Sequence, residues 1–197
     1  DFKTKKCDNF GSDWLFGYND LEKYYNLNDK MVGVSGVAGD PAYPNIKNLL
    51  PPLDIGYSGA LLAEAFNKLG WHWWPSYAAV RKSKKFSKGI RPTSNEMYLN
   101  KAIKNGVDIK SECRVLKIKT SSNNKVNGVI YSDRKNKKKF LKASIILVAA
   151  NGIGTPRILL NSSCKNFPNG LANNSGQLGR NLMLHPLAFI EGHFNEF

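Results

Sequence analysis

Apolar positions along this 197-residue chain recur with two periods, and the change falls near Gly106. Up to that point the spacing is helical. Asp20 to about Lys30 reads as a helix after an Asn19/Asp20 cap, and Val34 to Pro52 is punctuated by Gly and Pro and reads as irregular. Ser58 to Leu69 carries Leu61, Leu62, Ala65, Phe66 and Leu69 on one helical face, with Gly70 as its stop. Ser94 to Asn105 repeats that design, with Met97, Ala102 and Ile103 apolar and Gly106 as terminator. From Val107 the period becomes two. Val107 and Ile109, then Cys113, Val115 and Ile118, then Val126 and Val129 to Tyr131, then Phe140 and Leu141 are short strand candidates separated by polar turns, which is the pattern of a β-meander.

The meander leads into Ile145 to Ala149, an unbroken apolar run of the kind expected for a strand buried on both faces. A turn bearing Gly152 and Gly154 follows, and then a helix with Thr155 as expected N-cap and Pro156 at N1, where the missing N–H costs nothing. Strand, glycine turn and capped helix fit a ligand-binding turn and an ordinary turn of an α/β domain equally well.

Composition narrows the field. With 42% hydrophobic residues the chain has material for one sizeable core or two small ones, and no apolar run approaches the ~18 residues of a membrane span. The balance of 29 basic against 15 acidic residues gives a net charge of +14, which raises nucleic acid or an anionic surface as partner. The clusters Arg81, Lys82, Lys84, Lys85, Lys88 and Arg134 to Lys139 fall in expected loops without aromatic alternation, so they read as solvated faces and no nucleic-acid partner is expected. Cys7, Cys113 and Cys164 fit neither a disulfide framework nor a zinc spacing, and no metal site is expected. His72, His185 and His193 have no carboxylate or Ser at a motif spacing, so structural roles are expected. The aromatic run Trp71, Trp73 and Trp74 around His72 is either a packed loop or the lining of a sugar or alcohol site.

Four blocks, in order, carry a resemblance. Asp13-Trp14 with Tyr18-Asn-Asp-Leu-Glu-Lys-Tyr-Tyr25 and Gly33-Val-Ser-Gly36 comes first, then Gly89-Ile-Arg91 with Ser94 and Tyr98-Leu99. Ala149-Ala-Asn-Gly-Ile-Gly-Thr-Pro156 with its Leu-rich helix and Ser follows, and Ser175-Gly-Gln-Leu-Gly-Arg-Asn-Leu-Met-Leu-His-Pro186 closes the series. Together they resemble the glucose-methanol-choline (GMC) flavoprotein oxidoreductases over nearly the whole chain. Asn151 departs from the pattern, standing where many members have Gly, and Asn tolerates unusual φ better than most residues. The family's opening Gly-x-Gly-x-x-Gly occurs nowhere in this sequence, and its catalytic His belongs beyond Phe197.

The resemblance implies an internal piece of a longer FAD-dependent enzyme that oxidises the CH–OH group of a small alcohol or sugar. In such enzymes a His takes the hydroxyl proton while the carbinol carbon passes hydride to flavin N5. It implies an α/β (α+β) fragment: part of a doubly wound FAD-binding domain with a β-meander, plus the start of a substrate domain. Residues 1–106 join the FAD and substrate domains, 107–165 form the FAD-binding region, and 166–197 begin the substrate-domain segment. Val115 matches the valine that reads the adenine edge, and Ala149, Ala150, Asn151, Gly152 and Thr155 form the turn beneath the dinucleotide; no catalytic residue is expected in the chain. His185 stands near the boundary of the flavin domain and does not match the family's base. Electron acceptor and localisation stay open. The competing reading is a cofactor-free basic interaction or structural module.

Overall fold

The computed structural model describes residues 2–81 and 90–192 of the chain. Lys82, Lys84, Lys85, Lys88, Gly89 and His193 lie outside them. The chain divides into two compact units, Asp1–Asp108 and Ile109–Phe197.

The first unit is helices joined by irregular segments. Helix α1 (Thr4–Asp8) is short, and α2 (Tyr18–Val32) begins two residues before the expected start because its cap is Gly17. Asp20 takes the third helical position, and its carboxylate accepts the Gly17 N–H at 2.8 Å, half of a capping box. At the other end Arg81 satisfies the last carbonyls: its guanidinium donates to Val32 O at 2.8 Å and to Met31 O at 3.3 Å. Helix α3 (Gly56–Leu69) starts where Asp54 accepts the Gly56 N–H at 2.9 Å. It stops at Gly70, whose φ of +67° suits a residue without Cβ. Between α2 and α3 the expected irregular chain is held by isolated bridges from the fully buried Ser35 to Leu50 and Ala78.

The expected helix at Ser94 is a π-helical turn, Asn95–Leu99, running into α4 (Asn100–Lys104). Its cap is Thr93. The Thr93 N–H reaches the Glu96 carboxylate at 2.7 Å while the Glu96 N–H reaches the Thr93 hydroxyl at 3.4 Å, a reciprocal box. Tyr98 then donates to Asn28 at 2.6 Å and ties this helix to α2.

The second unit opens with the meander: β1 (Arg114–Thr120), β2 (Val126–Ser132) and β3 (Lys138–Lys142), antiparallel in the order β1-β2-β3. Val107 and Ile109 belong to no strand. They sit half exposed after α4, where Val107 N–H closes the helix end on Ala102 O. Two register shifts break the pairing of β1 with β2: one between Val115 and Lys117, with the extra residue in β1, and one between Lys119 and Thr120, with the extra residue, Asn127, in β2. The second lies beside Gly128, where a Cβ would stand 2.3 Å from Leu141 O, so only glycine lets β2 approach β3 there. Ile118 is the buried centre of the sheet.

The structure corrects the reading of Ile145 to Ala149. The segment is not a strand buried on both faces: among the described residues no strand pairs with it, and Ile145 and Leu147 are 80% and 92% exposed. A doubly buried strand needs backbone partners beside it and cover on both faces. Here only the side carrying Ile146 and Val148 meets the unit. The helix after it, α5 (Asn151–Asn161), also begins earlier than Thr155, and Pro156 lies inside it. Beyond α5 the chain folds back, with Leu171 N–H on Leu159 O at 3.0 Å and Leu171 buried. Residues 180–192 then run without regular structure and with Leu184, Phe189 and Ile190 exposed; His185 lies among them.

Candidate cofactor site

Three residues build the turn between the extended segment and α5. Asn151 adopts φ +61°, and its side-chain oxygen accepts the N–H groups of Ile153 and Gly154, each at 2.9 Å. That is N-cap geometry, so Asn151 performs the capping expected of Thr155. Thr155 instead reaches back, its hydroxyl accepting the Ala150 N–H at 3.1 Å and pinning the turn against the helix. Gly152 stands in open space, with no atom within 4 Å of where a Cβ would lie.

A cavity of about 340 Å³ opens beside this turn. Val115, Ala149 and Ala150 line it, while Asn151, Gly152 and Thr155 do not. The sequence reading missed most of the remaining wall: Ile118, Val129, Ile146, Val148 and Ile158. Val115 and Ile118 are three residues apart, a spacing that puts side chains on opposite faces of a regular strand. The register shift between Val115 and Lys117 inserts the extra residue that turns both to one side. Ile118 pairs with Val129 across the sheet, so the bulge also recruits β2 to the wall.

Helix α5 is fastened beneath the cavity by a buried hydroxyl. Ser162, at its C-terminal cap, is 1% exposed; its Oγ accepts the Ile118 N–H at 2.9 Å and donates to Ile158 O at 2.6 Å. Lys117 Nζ donates to Ser163 O on the same edge. Cys164 follows, a free thiol 3.7 Å from the Thr120 hydroxyl, which holds its pKa below the ordinary cysteine value.

The side chains lining the cavity are all apolar, with some backbone polar surface among them, which suits a flat, weakly polar ring. It fits the base end of a dinucleotide. The pyrophosphate end has no such match among the described residues: the N–H groups of Ile153 and Gly154, at a helix start where an anion would otherwise sit, are already taken by Asn151. Among the described residues no three His, Cys, Asp or Glu side chains converge as a metal site, and no helix is long and apolar enough to cross a membrane. Sequence reasoning also found no carboxylate for His72; the fold supplies Asp40, with His72 Nε2 at 2.9 Å from its Oδ1.

A family profile described as GMC oxidoreductase matches residues 15–187. The 2-methyl-1,2-propanediol dehydrogenase of Mycolicibacterium austroafricanum is 37% identical over 196 residues, covering 90% of this chain and 35% of that protein. The fructose dehydrogenase large subunit of Gluconobacter japonicus is 29% identical over 205 residues, covering 94% of this chain and 38% of that protein. The chain thus spans little more than a third of the length of these relatives.

Proposed function

Because the chain belongs to the GMC oxidoreductase family, we propose that its parent protein oxidises a CH–OH group of a small alcohol or sugar with FAD as the hydride acceptor. The names of the two relatives, one a diol dehydrogenase and one a sugar dehydrogenase, support that donor class. In this reading Val115, Ala149 and Ala150 receive the adenine end of the cofactor, and Asn151, Gly152 and Thr155 set the turn that shapes the slot. The observation that carries it is the single apolar cavity onto which Val115 and the Ala149–Ala150 turn both open, although they stand on separate elements. Bound flavin supplies a two-electron acceptor. The residues of this chain contribute packing: they orient the base and keep water from one of its faces. The doubly wound sheet, and the division of the chain at residues 106 and 165, belong to the same proposal.

The test is flavin retention by the complete parent carrying Val115→Trp. An indole at this position fills the slot, so the purified variant is expected to lose most of its flavin absorbance while its circular dichroism stays that of the unsubstituted protein. Stoichiometric flavin in that variant would overturn the placement of the adenine end. A complete parent that binds no flavin would overturn the enzyme reading itself.

A further inference from the structure

Charge is unevenly spread in the second unit. Between Lys110 and Lys142, a stretch that includes the whole meander, the chain carries eleven basic and two acidic residues. Both acids are answered within the stretch: Glu112 faces Arg134 at 3.4 Å, and Asp133 faces Lys139 at 2.9 Å. Lys117 is held as well, its ammonium donating to Ser163 O. Strand register decides where the other cations of the sheet stand.

Three rows cross the sheet on the face turned away from the cavity lined by Val115, Ile118 and Val129. Arg114, Ser132 and Lys138 are partners in one row, Lys117, Ile130 and Phe140 in the next, and Lys119, Gly128 and Lys142 in the third. The outer rows therefore place Arg114, Lys138, Lys119 and Lys142, all exposed, at four corners, with a small residue in the middle of each row. Strand spacing and rise set these corners roughly 10 Å apart across the sheet and roughly 13 Å apart along it. The centre is apolar. A Cβ on Gly128 would stand 2.6 Å from the Phe140 ring, so that ring leans over the glycine, and Phe140 is 54% exposed. Helix α5, the one helix of the second unit among the described residues, packs on β1 from the other side, where its Ile158 joins the cavity wall.

Cations at the rim, an apolar centre and no carboxylate among the three rows match the surface of an anionic bilayer, where phosphates lie above hydrocarbon. Three of the four corners are lysine, a hydrated point charge on a flexible stem that follows a fluid array of phosphates. Recognition of fixed carboxylates favours the planar fork of arginine, which stands at one corner. We propose that this face of the meander is a docking surface for an anionic lipid bilayer, with Arg114, Lys119, Lys138 and Lys142 meeting headgroup phosphates and Phe140 entering the interface between them. Attachment of this kind is peripheral: the face lies on the membrane. It stands independently of the flavin reading, since no residue of the cavity wall takes part.

The experiment is cosedimentation of the complete parent protein with vesicles of phosphatidylcholine alone and with vesicles of equal parts phosphatidylcholine and phosphatidylserine. Binding to the second and not to the first is expected, weakening as salt is raised. Lys119→Gln together with Lys142→Gln is expected to weaken it about twenty-five-fold, at about fivefold for each lysine. Lys5→Gln together with Lys30→Gln, exposed positions of the first unit, removes the same charge and is expected to change binding by less than about twofold. Polyglutamate and duplex DNA serve as polyanions without an apolar interior, so Phe140→Ala is expected to weaken vesicle binding and to leave binding to either of these unchanged. Should Phe140→Ala fail to fold, the two lysine pairs still decide. No cosedimentation with anionic vesicles, equal cosedimentation with neutral ones, or equal losses from the two lysine pairs would each overturn the docking surface. So would a folded Phe140→Ala protein that binds vesicles unchanged, or tighter binding to polyglutamate or DNA than to the vesicles at matched charge.

Discussion

Asn151 combines a left-handed backbone with a side chain that caps its own helix, and the two properties separate on substitution. Alanine keeps the Cβ strain and loses the cap, so Asn151→Ala is expected to destabilise the chain by about 1–2 kcal/mol. Glycine loses the cap but relaxes the backbone, so Asn151→Gly is expected to cost only a few tenths of a kcal/mol. Urea unfolding of both variants checks the order; equal losses would show that the left-handed backbone is not what Asn151 stabilises. Asp133 organises the β2–β3 turn in a comparable way. Its Oδ1 accepts the N–H groups of Lys135 and Lys137 at 2.9 and 3.0 Å, and its Oδ2 meets Lys139 Nζ at 2.9 Å. The Lys139 ammonium, and then the backbone donors, hold its carboxyl below the ordinary value. A depressed folded pKa means that the stabilisation is fully present above the unfolded carboxyl pKa, about 3.9, and is lost as pH falls through the lower folded value. Protection of the Lys135 and Lys137 amides, taken relative to the intrinsic exchange rate at each pH, is therefore expected to be unchanged from pH 7 to 5 and to fall in acid. Asp133→Asn is expected to remove that pH dependence.

At the scale of elements, α5 and β1 are joined by a hydroxyl and not by apolar packing alone. Ser162→Ala leaves the Ile118 N–H without its acceptor at a buried strand position, and the expected loss is about 1–3 kcal/mol. Because Ile118 and Ile158 both line the cavity, the substitution is also expected to loosen its wall. Comparison of the thermal transitions of Ser162→Ala and Ser162→Thr checks the claim, since threonine keeps the hydroxyl. A Ser162→Ala chain as stable as the unsubstituted one would show that the hydroxyl is not what joins the two elements. The same scale explains why the extended segment before α5 stays unpaired. Its backbone needs a neighbouring strand, and none is supplied among the described residues.

Within the second unit Ile145, Leu147, Leu184, Phe189 and Ile190 stand exposed, and a set of large exposed apolar side chains marks a surface that packs against something. We therefore expect the 197-residue chain, purified alone, to bind a hydrophobic dye strongly and to remain colourless after incubation with FAD. The apolar cavity offers base contacts without the helix-start amides that bind a pyrophosphate. A stoichiometrically yellow chain would show that the phosphate contacts lie within these residues after all.

Much of this was legible in the residue order because it depends on local chemistry. Gly70 ends α3 through its own backbone freedom, the β-branched and aromatic residues of 126–131 make a strand, and the four family blocks are words in a line. Thr93-x-x-Glu96 is equally local, a capping box that the reading of a helix from Ser94 passed over. The rest depended on contacts between distant residues. Ile145 to Ala149 has a strand's composition, yet a strand exists only with a partner. A one-residue bulge in β1 sets which side chains face the cavity, and its position follows from pairing with β2, not from periodicity. His72 meets Asp40 only because the segment before α3 and the turn after it return to the same place. Local preference is written residue by residue, whereas partners across a fold are chosen by packing and by the need to satisfy every buried polar group.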